Sequence, residues 1–242
     1  MSGHSHWSSI KHKKGLTDAK KGKEFSKVAR LLMVAAREGG ADAKTNFKLQ
    51  YAIDKARAVN MPNDNVDRAI KKGAGELEGV NLETVVYEGY GPGGAAIMAE
   101  VLTDNRNRTS SEIRKAFELH NGKLGASNSV NWFFERKGVI TIPADKTKED
   151  AIMTTALDAG AEDVTFEGDT FEITTDSRDI EKVKTALKQK GFTHKTADIT
   201  LVPKNYVTLS KHDGDKIIKL MEALEDHEDV QNVYSNFDIA EE

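Results

Sequence analysis

Residues 139–203 read VITIPADKTKEDAIMTTALDAGAEDVTFEGDTFEITTDSRDIEKVKTALKQKGFTHKTADITLVP. The β-branched run VITIP is followed by the helical pattern KEDAIMTTALDAG. DVTFEGDTFEITT then turns at Gly168-Asp169 between two strands, DIEKVKTALKQKG is helical again, and ADITLVP closes on a strand. The order βαββαβ is the ferredoxin-like succession, in which two helices cover one face of a four-stranded antiparallel sheet.

Outward from this block, the chain on either side is incomplete. Before it, TVVYEGY and AAIMAEVLT flank the turn Gly91-Pro92-Gly93-Gly94. TSSEIRKAFELHNG then reads as a helix capped by Thr109 or Ser110, and SVNWFFERKG as a third strand. After it, NYVTLS, GDKIIKLMEALEDHE and VQNVYSNF supply a strand, a helix and a strand, too little to bury a core alone. The tail is therefore expected to return and finish the sheet begun near residue 80. The expected organisation is multi-domain α and α+β: a basic arm and helical bundle over 1–75, a middle α/β domain over 76–138 plus 204–242, and the ferredoxin-like domain 139–203 inserted in the middle domain.

The first 75 residues follow a helical period. Phe25, Val28, Leu32 and Ala35 recur at steps of three and four behind a cap at Thr17, and Gly39-Gly40 ends the run. Leu49, Ala52, Ile53, Ala56 and Val59 form a second helix that stops before Pro62. A third opens at Asn63 or Asp64, carries Val66, Ala69 and Ile70, and ends at Gly73. Ahead of the bundle, residues 1–15 offer only Trp7 and Ile10 as large apolar groups and read as an arm without a core.

Composition bounds the class. Counting Gly and setting Tyr aside, about 44% of the 242 residues are apolar, close to ordinary globular usage. Without cysteine there is no disulfide, thiolate metal site or cysteine nucleophile, and a reducing compartment, the cytoplasm, is expected. No apolar run approaches the roughly 18 residues of a membrane span, and no signal-peptide core follows the basic start.

The net charge of −4 conceals a polarity. Residues 1–72 hold 16 Lys or Arg against 7 Asp or Glu, a net of +9; the segments 73–138, 139–203 and 204–242 carry −2, −5 and −6. A basic head on an acidic body points to a polyanion-binding end, because each cation placed at a phosphate releases condensed counterions. Lys11, His12, Lys13 and Lys14 form a cationic cluster in the arm. Lys20, Lys21, Lys23, Lys27 and Arg30 continue it along the first helix, and Arg106 and Arg108 stand just ahead of a helix start whose amide end favours anions. The acidic remainder would be left free for a basic protein partner.

Other chemistry finds little support. His4, His6 and His12 lack a carboxylate or thiolate to complete a metal site. YEGYGPGG lacks the Lys-Ser/Thr of a P-loop and does not match GxGxxG, so a tight inter-strand turn is its default reading. No HExxH, GxSxG or kinase-like set occurs. The expectation is a non-enzymatic binder with no cofactor and no metal.

The strings GHSHWSSIKHKK, DAKKGKEFSK, NDNVDRAIKKG, YEGYGPGG, TDNRNRT and SVNWFF, in this order, resemble the YebC family, whose mitochondrial relative is the translational activator of cytochrome c oxidase. The resemblance runs over essentially the whole chain. It implies three domains and a nucleic-acid-binding regulator of gene expression, either a transcriptional regulator on DNA or a ribosome-associated translation factor that relieves stalling at proline-rich stretches. By motif it places contacts at Lys11, Lys13, Lys14, Lys20, Lys21, Lys23, Arg106 and Arg108. It leaves DNA and ribosomal RNA both open as targets.

Overall fold

A computed structural model of the chain describes residues 18–144, 148–167 and 170–240. It is a multi-domain protein of mixed α and β structure that divides into two compact units. Among the described residues, one comprises 18–130 with Ser210–Val233; the other comprises Asn131–Leu209 and 234–240. No helix among the described residues is long and apolar enough to cross a membrane.

The first unit begins with helices α1 (Asp18–Gly39), α2 (Phe47–Ala58) and α3 (Asn63–Gly73). Their apolar stripes meet as the period requires: Val28, Leu32, Ala35 and Ala36 of α1 pack with Leu49, Ala52 and Ala56 of α2, Met61, and Ala69 of α3. Asn46 fixes the corner between α1 and α2. It is buried; its Oδ1 accepts from Leu49 N, and its Nδ2 donates at 2.8 Å to the carbonyls of both Ala35 and Gly40. One side chain thus caps α2 and holds the end of α1.

The same unit continues into strands β1 (Glu83–Tyr90) and β2 (Ala96–Thr103), helix α4 (Arg106–Leu119) and the short β3 (Lys123–Leu124). After the chain returns it adds α7 (Lys211–Glu225) and β9 (Val230–Ser235). The sheet order is β3-β1-β2-β9, so a strand of the returning chain lies at the edge of the sheet begun near residue 80. Ile113 and Phe117 of α4 and Ile217, Leu220, Met221 and Leu224 of α7 are buried. A side chain at Gly89 would strike the Phe117 ring at 2.7 Å, so glycine is what lets α4 approach β1. Val34 of α1 packs with Leu82 and Leu102, joining the bundle to this sheet.

The second unit runs β4 (Phe134–Pro143), α5 (Glu149–Asp158), β5 (Ala161–Glu167), β6 (Thr170–Asp176), α6 (Ile180–Gln189) and β7 (Thr196–Pro203). All neighbours are antiparallel in the order β5-β6-β4-β7. Ile140, Ile142, Phe171 and Ile173 form the sheet's core face with Ile152 and Ala156 of α5 and Ile180, Val183 and Leu187 of α6. The turn expected at Gly168-Asp169 lies outside the described residues.

Two strands differ from expectation. SVNWFFERKG and VITIP are not separate strands of two domains; from Phe134 on they form the single strand β4 of the second unit's sheet. Gly138 looks like a break, but a side chain there would meet Ile180 at 2.8 Å and Thr175 at 2.9 Å, so it marks close helix packing within a strand. The third strand of the first unit is instead the two-residue β3. Likewise β8 (Val207–Leu209) does not join the first unit's sheet but pairs in parallel with β10 (Phe237–Ile239), whose Phe237 is fully buried.

Candidate nucleic-acid interface

The basic residues of the N-terminal segment separate into two sets. On the inner face of α1, Lys27 is buried and its Nζ donates to the Glu225 carbonyl at 2.5 Å. Arg30 donates through Nη1 to the Leu102 carbonyl at 2.9 Å and to the Asp229 carboxylate, and its Nη2 lies 3.7 Å from Glu228. Arg37 donates to Asn81 Oδ1 at 2.6 Å and to the Leu82 carbonyl. Lys27 and Arg30, read from sequence as phosphate contacts, are engaged inside the unit. The reason is their spacing: positions 27, 30, 34 and 37 share one helical face, and Val34 on that face is buried.

Asp229 is the centre of this inner network. Its side chain is fully buried and takes the Thr109 hydroxyl at 2.6 Å, Arg108 Nη2 at 2.9 Å and the Arg30 guanidinium. Burial by itself pushes the carboxyl up, but the hydrogen bonds from Thr109 and Arg108 and the positive charge of Arg30 outweigh it and hold the group below the usual carboxylate range. Arg108 also pairs with Asp104 at 2.9 Å, and both carboxylates hold its guanidinium firmly protonated.

The start of α4 differs from the sequence reading. Its cap is Asn105, which accepts from Arg108 N at 3.0 Å, so Arg106 and Arg108 lie in the first turn and not in a loop ahead of it. Thr109, expected as a cap, is instead buried against Asp229 and lies 2.8 Å from the Thr103 hydroxyl. Arg106 is exposed, while Arg108 is shared with the inner network.

Glu112, His227 and Asp229 place donor atoms within 4.8 Å of one another. They do not make a cation site: Asp229 already faces two guanidinium groups and a hydroxyl. His227 Nδ1 accepts from Asp229 N at 3.1 Å, and its Nε2 meets Glu112 at 2.8 Å. The glycine-rich turn is also internally satisfied, with Gly91 N donating to Ala95 O at 2.8 Å and Gly94 N to Gly91 O at 3.1 Å. It closes the β1–β2 hairpin through positive φ at Gly93 and Gly94, as expected of an inter-strand turn.

The described side chains of the second set face solvent. Lys23 is exposed on α1, and Lys20 and Lys21 lie in that helix's first turn by backbone position. Lys11, His12, Lys13 and Lys14 lie outside the described residues, as do His4, His6 and Trp7. Sequence reasoning missed Lys44, Lys48 and Arg57 around α2 and Arg68, Lys71 and Lys72 on α3, all exposed. It also missed Phe47 and Tyr51, which stand out from α2 at 85% and 43% exposure. The signal was available: once Leu49, Ala52 and Ala56 define the buried face of α2, the aromatics at 47 and 51 fall on the other.

Residues 5–76 match the family model described as the TACO1/YebC protein N-terminal domain, and residues 82–237 match that of the TACO1/YebC second and third domain. The chain belongs to the TACO1/YebC family. It is 51% identical to proteins of Dictyoglomus turgidum and Thermoanaerobacter pseudethanolicus, over 100% of this chain and 98% and 99% of theirs, both named as a probable transcriptional regulatory protein. The crystal structure of a conserved hypothetical protein from Aquifex aeolicus superimposes with a TM-score of 0.87 at 47% identity, covering 98% of each chain.

Proposed function

We propose that this chain is a non-enzymatic, cytoplasmic regulator of transcription that holds DNA by its phosphates through the basic N-terminal segment. The observation that carries the reading is the +9 charge of residues 1–72, whose exposed members Lys23, Lys44, Lys48, Arg57, Arg68, Lys71 and Lys72 surround a small bundle while the rest of the chain is acidic. Lys11, His12, Lys13, Lys14, Lys20 and Lys21 would extend that surface, and Arg106 would add a contact at the start of α4. Regulation is also what the names of the relatives state of those proteins. With several phosphates neutralised, affinity for DNA falls steeply with salt. The sequence offers no recognisable helix-turn-helix reader with base-directed side chains, so the contacts would position the duplex more than they read it.

The strand order β5-β6-β4-β7 supports the ferredoxin-like reading of the second unit, inserted between β3 and α7 of the first. Its acidic surface would repel the polyanion and stay free for a basic protein partner. The test of the function is anisotropy of a labelled DNA duplex over a salt series. A steep loss of affinity with salt is expected, and binding that is absent or indifferent to salt overturns the reading. Crosslinking in cells followed by sequencing then separates promoter fragments, the expected product, from ribosomal RNA, which would move the reading to translation.

A further inference from the structure

We propose that the outer face of α2 is a stacking platform for unpaired bases, with Phe47 and Tyr51 taking successive bases of a single strand and the surrounding cations taking its phosphates. The inference rests on the reading that the N-terminal segment binds nucleic acid, and it adds a second mode to that site.

Phe47 and Tyr51 are four residues apart, so their Cα positions lie on one stripe of the helix about 6 Å apart along its axis. Phe47 is 85% exposed and Tyr51 43%. Single exposed apolar residues are ordinary. This exposed aromatic pair lies opposite the packed face of Leu49, Ala52 and Ala56 and outside the bundle's core. Lys55 continues the stripe, with its Nζ 5.2 Å from the centre of the Tyr51 ring, a cation over an aromatic face.

The electrostatics select the occupant. Over residues 44–58 there are four cations, Lys44, Lys48, Lys55 and Arg57, against the single carboxylate of Asp54. Lys48 pairs with Glu38 at 2.6 Å and Arg57 with Asp54 at 2.9 Å, but all four of these side chains are well exposed. Such pairs are weak and exchange readily for a phosphate. Flat aromatic faces flanked by cations fit a strand with bases turned outward. Duplex DNA keeps its bases stacked and would meet only the cations, so the platform distinguishes open from paired nucleic acid.

The test uses the full chain with labelled single-stranded RNA, single-stranded DNA of the same sequence and the matching duplex. The double variant Phe47→Ala/Tyr51→Ala should weaken single-strand binding by about tenfold or more. Duplex affinity and the salt slope should stay unchanged, since no charge is removed. The two single-strand arms show whether RNA or DNA is the better source. Phe47→Trp should keep the affinity and add tryptophan emission that single strands quench and the duplex does not. Unchanged single-strand affinity in the double variant overturns the platform while leaving the phosphate-binding reading standing; so does a change in oligomeric state without nucleic acid, which would make this face a contact between copies. A wild-type chain that binds neither form overturns both. Circular dichroism melts of each variant separate loss of a contact from loss of fold.

Discussion

Asp229 has no aqueous escape for its charge. With its side chain fully buried between Thr109, Arg108 and Arg30, removing it leaves the Arg30 guanidinium, itself 15% exposed, with only the exposed Glu228 carboxylate at 3.7 Å as counter-charge. Asp229→Ala should therefore cost about 3–5 kcal/mol, the range for breaking one partner of a buried pair, read as a lowered urea midpoint. The carboxyl is held below its usual range, so the folded state binds its proton less readily than the unfolded chain does. Its contribution is present at neutral pH and is lost as pH falls through the folded-state value, in the acid region below about pH 4. Asp229→Asn, which cannot titrate, should flatten the acid limb of a plot of stability against pH; an unaltered limb would mean other carboxylates dominate it. Nothing in the composition marks this residue. It sits in a segment of net charge −6, where one more carboxylate looks like solvated surface, and its partners Arg30 and Arg108 look like phosphate contacts. Both signals are local, whereas the interaction spans 199 and 121 positions.

Among the elements, local periodicity carried most of the reading. α1, α2 and α3 fall where the apolar steps place them, because helical contacts are near in sequence. The strands were less legible, because pairing is decided by distant partners: Gly138 disguised β4 as two strands, and the three residues of β8 pair with β10 beyond α7. Two variants address these corners. Asn46→Ala removes the cap of α2 and leaves the Ala35 and Gly40 carbonyls short of a donor, so a loss of about 2–3 kcal/mol is expected, with faster amide exchange concentrated at the α1–α2 corner. Gly138→Ala forces a methyl against Ile180 and Thr175, and overpacking of this kind costs roughly 1–3 kcal/mol. Its exchange signature should fall in β4, β6 and α6 and spare the helical bundle.

At the scale of the molecule the charge polarity is the property to test. Changing Lys11, Lys13 and Lys14 together to Ala should lower the slope of log affinity against log salt by up to about 3, one counterion equivalent per lost contact, in the same duplex titration. A slope that does not move removes the arm from the interface. Sequence located this basic end but could not sort its members, since charge counts do not show which face of α1 turns inward. The completion of the first sheet by β9 also has a consequence in time. Synthesis runs from the N-terminus at roughly 5–20 residues per second, and Arg30 precedes Asp229 by 199 positions. For about 10–40 s at that pace, the nascent bundle exists without its counter-anion. By the end of that interval β4 to β7 of the intervening unit have all been made, while β2 still lacks one edge partner. Until Glu225 and Asp229 arrive, Lys27 and Arg30 lack these partners, and the nascent bundle is more cationic in its accessible surface than the folded one.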